Sequence, residues 1–297
     1  PVFCRDYGWK GIWMSVFHSV SAFCNAGFDI LGTTEQTFPS LTGYIANPLI
    51  NLVIMLLIVI GGIGFLTWDD FCTNKWNLKR YRLQSKIILV TTAVLILLPA
   101  IFFFLSDFAG FSMGKRILAS FFQSVTLRTA GFNTADLGAM NDSSKAIMTL
   151  MMLIGGSPGS TAGGMKTTTI AVLILNAFAT FGREPETEVF GRRFDNTVVK
   201  NAATIAILYF FLFFAGGIAI SQIEHVALSD CLFETASAVG TAGLTLGITT
   251  ELGLVSHLIL VVLMYLGRVG GLTLIYAAIS VKIQSGAKRP LDKITVG

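Results

Sequence analysis

The sequence predicts an all-α polytopic membrane protein made of repeated helical units. Three observations carry that reading. Of its 297 residues, 53% are hydrophobic and only 13% charged, where an ordinary soluble domain carries about 25% charged residues. The apolar residues come in long runs and not as amphipathic stripes, and the mean hydropathy is +0.71. A short string of a polar residue, Ala, Gly and an apolar residue recurs three times, each time after a short apolar stretch.

In chain order, the short stretch 11–24 precedes a span at 44–66. A span at 87–106 precedes the short stretch 115–127 and an interrupted span at 145–181. A span at 198–222 precedes the short stretch 229–239 and a last span at 253–281. A crossing helix needs about 20 apolar residues. The three short stretches fall below that and fit half-crossing, re-entrant helices. This divides the chain into 1–66, 87–181, 198–281 and a tail at 282–297.

Charge gives the orientation. Lys75, Lys79, Arg80, Arg82 and Lys86 follow the first span. Arg183, Arg192, Arg193 and Lys200 follow the interrupted one. Lys282, Lys288, Arg289 and Lys293 follow the last. All three segments can share one face, which the positive-inside rule makes cytoplasmic. Acids such as Asp6, Asp29, Glu35, Asp107, Asp136, Glu224, Glu234 and Glu251 gather on the other face. A negative outer mouth would raise the local cation concentration.

The strings are Asn25-Ala26-Gly27-Phe28, Thr129-Ala130-Gly131-Phe132 and Thr241-Ala242-Gly243-Leu244. A short helix entering the membrane ends in a partial negative charge that favours a cation. A glycine just beyond it reaches backbone angles closed to other residues, so carbonyl oxygens can face a common axis and replace the water shell of an alkali ion. The strings contain no acid, which suits a monovalent ion. The four cysteines and three histidines are scattered, and no metal site beyond that for an alkali ion is expected.

With SAFCNAGFD, TLRTAGFNT, SAVGTAGLT and GGSPGSTAGGMKTTT, the chain resembles the TrkH/KtrB/HKT superfamily of potassium transporters over nearly its whole length. Arg128 within TLRTAGFNT is closest to the KtrB-like branch. The resemblance implies helix–pore helix–filter loop–helix units around a central pore, with Asn25 to Gly27, Thr129 to Gly131 and Thr241 to Gly243 as ion-binding filter strings. The family has four such units, so a first unit and the outer helix of the second are expected upstream of Pro1. The implied ion is potassium, with sodium as a second ion. The implied partners are a second pore subunit, forming a homodimer, and a cytoplasmic KtrA/TrkA-type nucleotide-binding regulatory ring. Nucleic acid is not among them. The implied location is the bacterial plasma membrane.

The interrupted span runs LMMLIGGSPGSTAGGMKTTTIAVLIL. Gly155, Gly156, Gly159, Gly163 and Gly164 each cost a helix about 1 kcal/mol relative to alanine, and Pro158 about 3 kcal/mol. Ser157, Ser160 and Thr161 can satisfy the backbone groups so freed. In the resembling family this loop lies below the filter and acts as a gate. Lys166 and Arg268 lie within apolar spans, where a charge is expensive. Arg268 is expected to donate hydrogen bonds to loop carbonyls and to repel cations. Lys166 either belongs to the gate or snorkels to the cytoplasmic surface. A phosphate-binding reading of Gly159 to Thr167 fails, because the lysine comes one place late and no strand precedes it.

No Ser/His/Asp, Cys/His or paired-carboxylate set suggests an enzyme. The alternative is a secondary transporter of an organic solute, with broken helices around a central site.

Overall fold

The computed structural model describes residues 1–33, 38–184 and 186–271. Glu35, the tail 282–297 and the last span beyond residue 271 therefore lie outside the described residues. The chain opens with α1 (Val2–Tyr7) and α2 (Lys10–Phe23). It continues through α3 (Pro48–Gly62), α4 (Phe65–Asn74), α5 (Leu83–Leu105), α6 (Met113–Thr126), α7 (Asp142–Leu153), α8 (Thr167–Phe181), α9 (Asn196–Glu224), α10 (Leu228–Gly240) and α11 (Leu254–Val269). A small antiparallel pair, β1 (Glu188–Val189) and β2 (Arg192–Arg193), lies between α8 and α9.

The helices α5 and α9 are long and apolar enough to cross a membrane. The short stretches form α2, α6 and α10. The interrupted span forms α7 and α8, separated by an irregular segment at 154–166.

Two spans differ from the sequence reading. The run 44–66 is not one helix: α3 stops at Gly62, and α4 leaves at 97° to it. Apolar residues continue through Ile63, Phe65 and Leu66, so hydropathy alone does not see the break. Gly64, at φ 90°, supplies the backbone angle the turn requires. In the last span, helix α11 closes at Val269, before Gly270 at φ 89°, so Arg268 sits in the last turn of that helix and not at its middle.

Helix starts and bends have local causes. The Asn47 side chain accepts from the N–H groups of Leu49 and Ile50, ahead of Pro48 at the first turn of α3. Buried Asp70 accepts from Arg82 N (3.0 Å) and Ser85 Oγ (2.6 Å), which fixes the chain where α5 begins. Pro99 within α5 cannot donate to Leu95 O. Ser124 Oγ of α6 instead reaches the exposed carbonyls there, 2.6 Å from Ile96 O and 3.5 Å from Leu95 O.

The core forms around the short helices. One apolar cluster joins α5, α7 and α10 through Phe103, Met148, Met152 and Phe233. A second joins α2, α3 and α6 through Ile58 and Phe122. A third packs α9, α10 and α11 through Tyr209, Val239 and Leu260. Every residue of α10 from Phe233 to Gly240 is buried. By contrast, α2 exposes Ile12, Trp13, Val16 and Val20 along one side.

Candidate functional site

Each short helix runs straight into its glycine string, and the three strings take the same backbone path. Asn25, Thr129 and Thr241 have φ of 50°, 61° and 52°. Gly27, Gly131 and Gly243 have φ of 72°, 82° and 81°. A positive φ is uncommon for a residue with a Cβ, so three polar residues sharing it at one position mark a repeated local fold. The turn satisfies carbonyls at the helix ends: Ala26 N donates to Ser21 O at 2.9 Å, and Ala242 N to Ser237 O at 2.8 Å.

The glycines meet. A Cβ on Gly27 would collide with Ala130 O and lie 2.7 Å from Gly131 Cα. One on Gly131 would lie 2.8 Å from Ala242 O, 3.1 Å from Gly27 Cα and 3.7 Å from Gly243 Cα. Only hydrogen leaves room for this approach. The negative ends of α2, α6 and α10 thus converge on one small region.

Around it the side chains are polar and buried. Asn25 Nδ2 donates to Arg128 O at 3.2 Å, joining the first string to the second. The hydroxyls of Thr129 and Thr241 are buried with no partner among the described residues. So are Nε and Nη2 of Arg128, a buried guanidinium to which the sequence reading gave no role at the site.

The segment 154–166 lies against these strings. It closes on itself through Gly155 N to Met165 O (2.7 Å) and Thr167 N to Gly156 O (3.0 Å), with Ser157 Oγ 3.1 Å from Thr167 Oγ1. It also mates with the break between α3 and α4. Ser157 N donates to Gly62 O (3.0 Å), Thr161 N donates to Gly61 O (3.2 Å), and Gly159 O accepts from Phe65 N (2.9 Å). Irregular backbone at membrane depth is tolerated where it is buried in protein, and here two irregular segments satisfy each other.

Further tight contacts fix the remainder. A Cβ on Gly163 would collide with Thr241 Oγ1, and one on Gly164 would lie 2.9 Å from Gly240 O. Pro158 carries a carbonyl 2.5 Å from where a Cβ on Gly64 would sit. Arg268 Nη1 donates to Thr161 O at 2.7 Å. Lys166 Nζ turns back to Ala162 O at 2.8 Å, so its head group bonds to the loop.

Three of the acids placed on the outer side have local partners. Glu234 is buried within α10, where it accepts from Thr245 Oγ1 (2.6 Å), Thr249 Oγ1 (2.6 Å) and Leu246 N (3.0 Å). It therefore pins the chain that follows the third string. Glu224 accepts from Gly253 N (2.9 Å) and Ser256 Oγ (2.5 Å) at the start of α11. Asp107 joins α5 to α7 through Asn141 N (2.9 Å) and Ser144 Oγ. These carboxylates fasten backbone and hydroxyl groups. The hydroxyl-rich run Thr245 to Thr250 was the available signal for Glu234.

Long apolar helices, short helices ending in glycine strings, and a buried irregular segment define an all-α polytopic membrane protein. A family model described as "TrkH: Cation transport protein" matches residues 3–287. The chain belongs to this family, which is one of transporters and not of enzymes. It is 36% identical over 308 residues to the potassium/sodium uptake protein NtpJ of Enterococcus hirae, covering 100% of this chain and 67% of that protein. It is 34% identical to the Ktr system potassium uptake protein B of Bacillus subtilis, covering 98% and 65%. Among solved structures, the potassium transporter TrkH from Vibrio parahaemolyticus shares the fold, with a TM-score of 0.72 at 21% identity, covering 90% of this chain and 58% of that one. The chain thus spans about two thirds of the length of the curated relatives it matches.

Proposed function

We propose that this chain forms most of the potassium-translocating pore subunit of a Ktr/Trk-type uptake system. The three strings supply carbonyl oxygens for a dehydrated potassium ion, with sodium as a second ion. The segment 154–166 is an intramembrane gate held shut by Arg268. The units 1–66, 87–181 and 198–281 act as successive repeats around the pore, and the subunit works as a homodimer with a nucleotide-binding regulatory ring on its basic face. The observation that carries the reading is the meeting of Gly27, Gly131 and Gly243 at the ends of three short helices in one backbone conformation.

Carbonyls at such helix ends are already polarised by the helix dipole, and they stabilise a cation without any acidic side chain. The test is rubidium or thallium uptake by the full-length protein in liposomes. Ion flux that needs no organic solute supports the pore. Flux that appears only with a co-transported solute overturns it in favour of a solute carrier.

A further inference from the structure

We propose that Thr161 is a latch joining the intramembrane loop to the ion path, so that moving the loop also loosens the first glycine string. This rests on the filter and gate reading above. The Thr161 hydroxyl lies 2.9 Å from Phe23 O, 3.1 Å from Gly61 O and 3.2 Å from Asn25 Oδ1. A hydroxyl has one proton to donate. Three acceptors therefore share a single hydroxyl proton, and withdrawing it strips Phe23 O and Asn25 Oδ1 of this donor while Gly61 O keeps the Thr161 N–H.

Two of those acceptors belong to the ion path. Phe23 O is one of the last carbonyls of α2, which have no partner within the helix. Asn25 opens the first string and reaches on to Arg128 O beside the second. The backbone oxygen of the same Thr161 accepts from Arg268. One residue thus takes the restraint from Arg268 on its carbonyl and passes it to the first string through its hydroxyl. Two residues on, Gly163 packs against Thr241 of the third string. The loop is therefore seated under two strings at once, and Thr161 is its hydrogen-bonded foot. Thr161 is a positioning residue: it touches no ion but sets the geometry of groups that do.

The experiment uses the full-length transporter in liposomes and reads basal rubidium flux together with sodium competition. Thr161→Val removes the proton at nearly constant volume. It is expected to raise basal flux and lower potassium-over-sodium discrimination, each by about five-fold, the worth of one net hydrogen bond. Thr161→Ser keeps the hydroxyl and should leave both within about two-fold. Higher flux at unchanged discrimination, or no change in either, overturns the latch. If Thr161→Val does not fold, Thr161→Ala is read in the same way, and failure of both to fold overturns the proposal by making the residue structural.

Arg268→Ala and Gly243→Ser run alongside. If neither alters flux or discrimination, the filter and gate reading itself has failed. If both do and Thr161→Val does not, only the latch has.

Discussion

The breaks at the double glycines Gly61-Gly62 and Gly155-Gly156 differ in kind. After Gly61-Gly62 the interruption is brief, and α4 leaves sharply from α3. After Gly155-Gly156 the chain wanders through residues 157–166 before α8 begins. The short break exposes carbonyls, and the long one supplies N–H groups at matching places. A long irregular segment therefore becomes affordable inside a membrane when a neighbouring helix is broken to receive it. Neither break is stable on its own terms.

That dependence can be tested most severely at the short break. A Cβ on Gly61 would collide with Phe23 O and lie 2.9 Å from Thr161 Oγ1, whereas one on Gly62 meets only Asn25 Nδ2 at 3.6 Å. Gly61→Val should cost about 3 kcal/mol or more by overpacking against backbone, and Gly62→Ala less than about 1 kcal/mol. Thermal unfolding in detergent measures both. Equal effects would show that the two breaks are not interlocked.

The next effect is on flux. Arg268→Ala removes a charge-assisted hydrogen bond to the long loop, and such bonds are worth about 1.5–3 kcal/mol. Basal rubidium flux is expected to rise about ten-fold. Unchanged flux in well-folded protein would remove Arg268 from the gate.

A graded series separates the strings. Gly27→Ser meets backbone at once and Gly131→Ser nearly so, whereas a Cβ on Gly243 clears its nearest neighbour, Gly131 Cα, by 3.6 Å. At Gly243 the penalty is one of backbone angle alone, about 1 kcal/mol. Potassium-over-sodium discrimination should fall most for Gly27→Ser and least, by about five-fold, for Gly243→Ser. The reverse order in competition assays would contradict the packing described above.

The smallest change is Ser157→Ala. It removes a hydroxyl contact with Thr167 inside the loop but keeps Ser157 N on Gly62 O. Its cost should be about 1 kcal/mol of stability, with flux near that of the parent. A flux change as large as that of Arg268→Ala would mean that internal loop bonds, and not the ties between breaks, hold the loop.

The fold class was legible because two simple limits govern it. Helices too short to cross stand out by length, and α2, α6 and α10 fall where the short apolar stretches lie. Glycine strings show because only a few residue types take positive φ. The bend after Gly62 was harder to read, since apolarity runs on past it and only the glycine spacing Gly61, Gly62, Gly64 hints at a turn. The placement of Glu224, Glu234 and Asp107 was beyond a count of charges. An acid on the outer side reads as part of a field, whereas its real partners are hydroxyls and N–H groups brought close by folding. The mating of the two breaks joins residues about 100 positions apart, and no local pattern encodes which carbonyl receives which donor.

The bonds from Ser157 and Thr161 to Gly62 and Gly61 have one more consequence. If the loop swings aside, those carbonyls, together with the Phe65 N–H, are left bare at membrane depth. Lipid cannot satisfy them. On the proposed gating, opening would draw water down to the level of Gly62, so that an open state would hold a hydrated vestibule where the closed one holds protein. Osmolytes that withdraw water should then bias the protein towards closure.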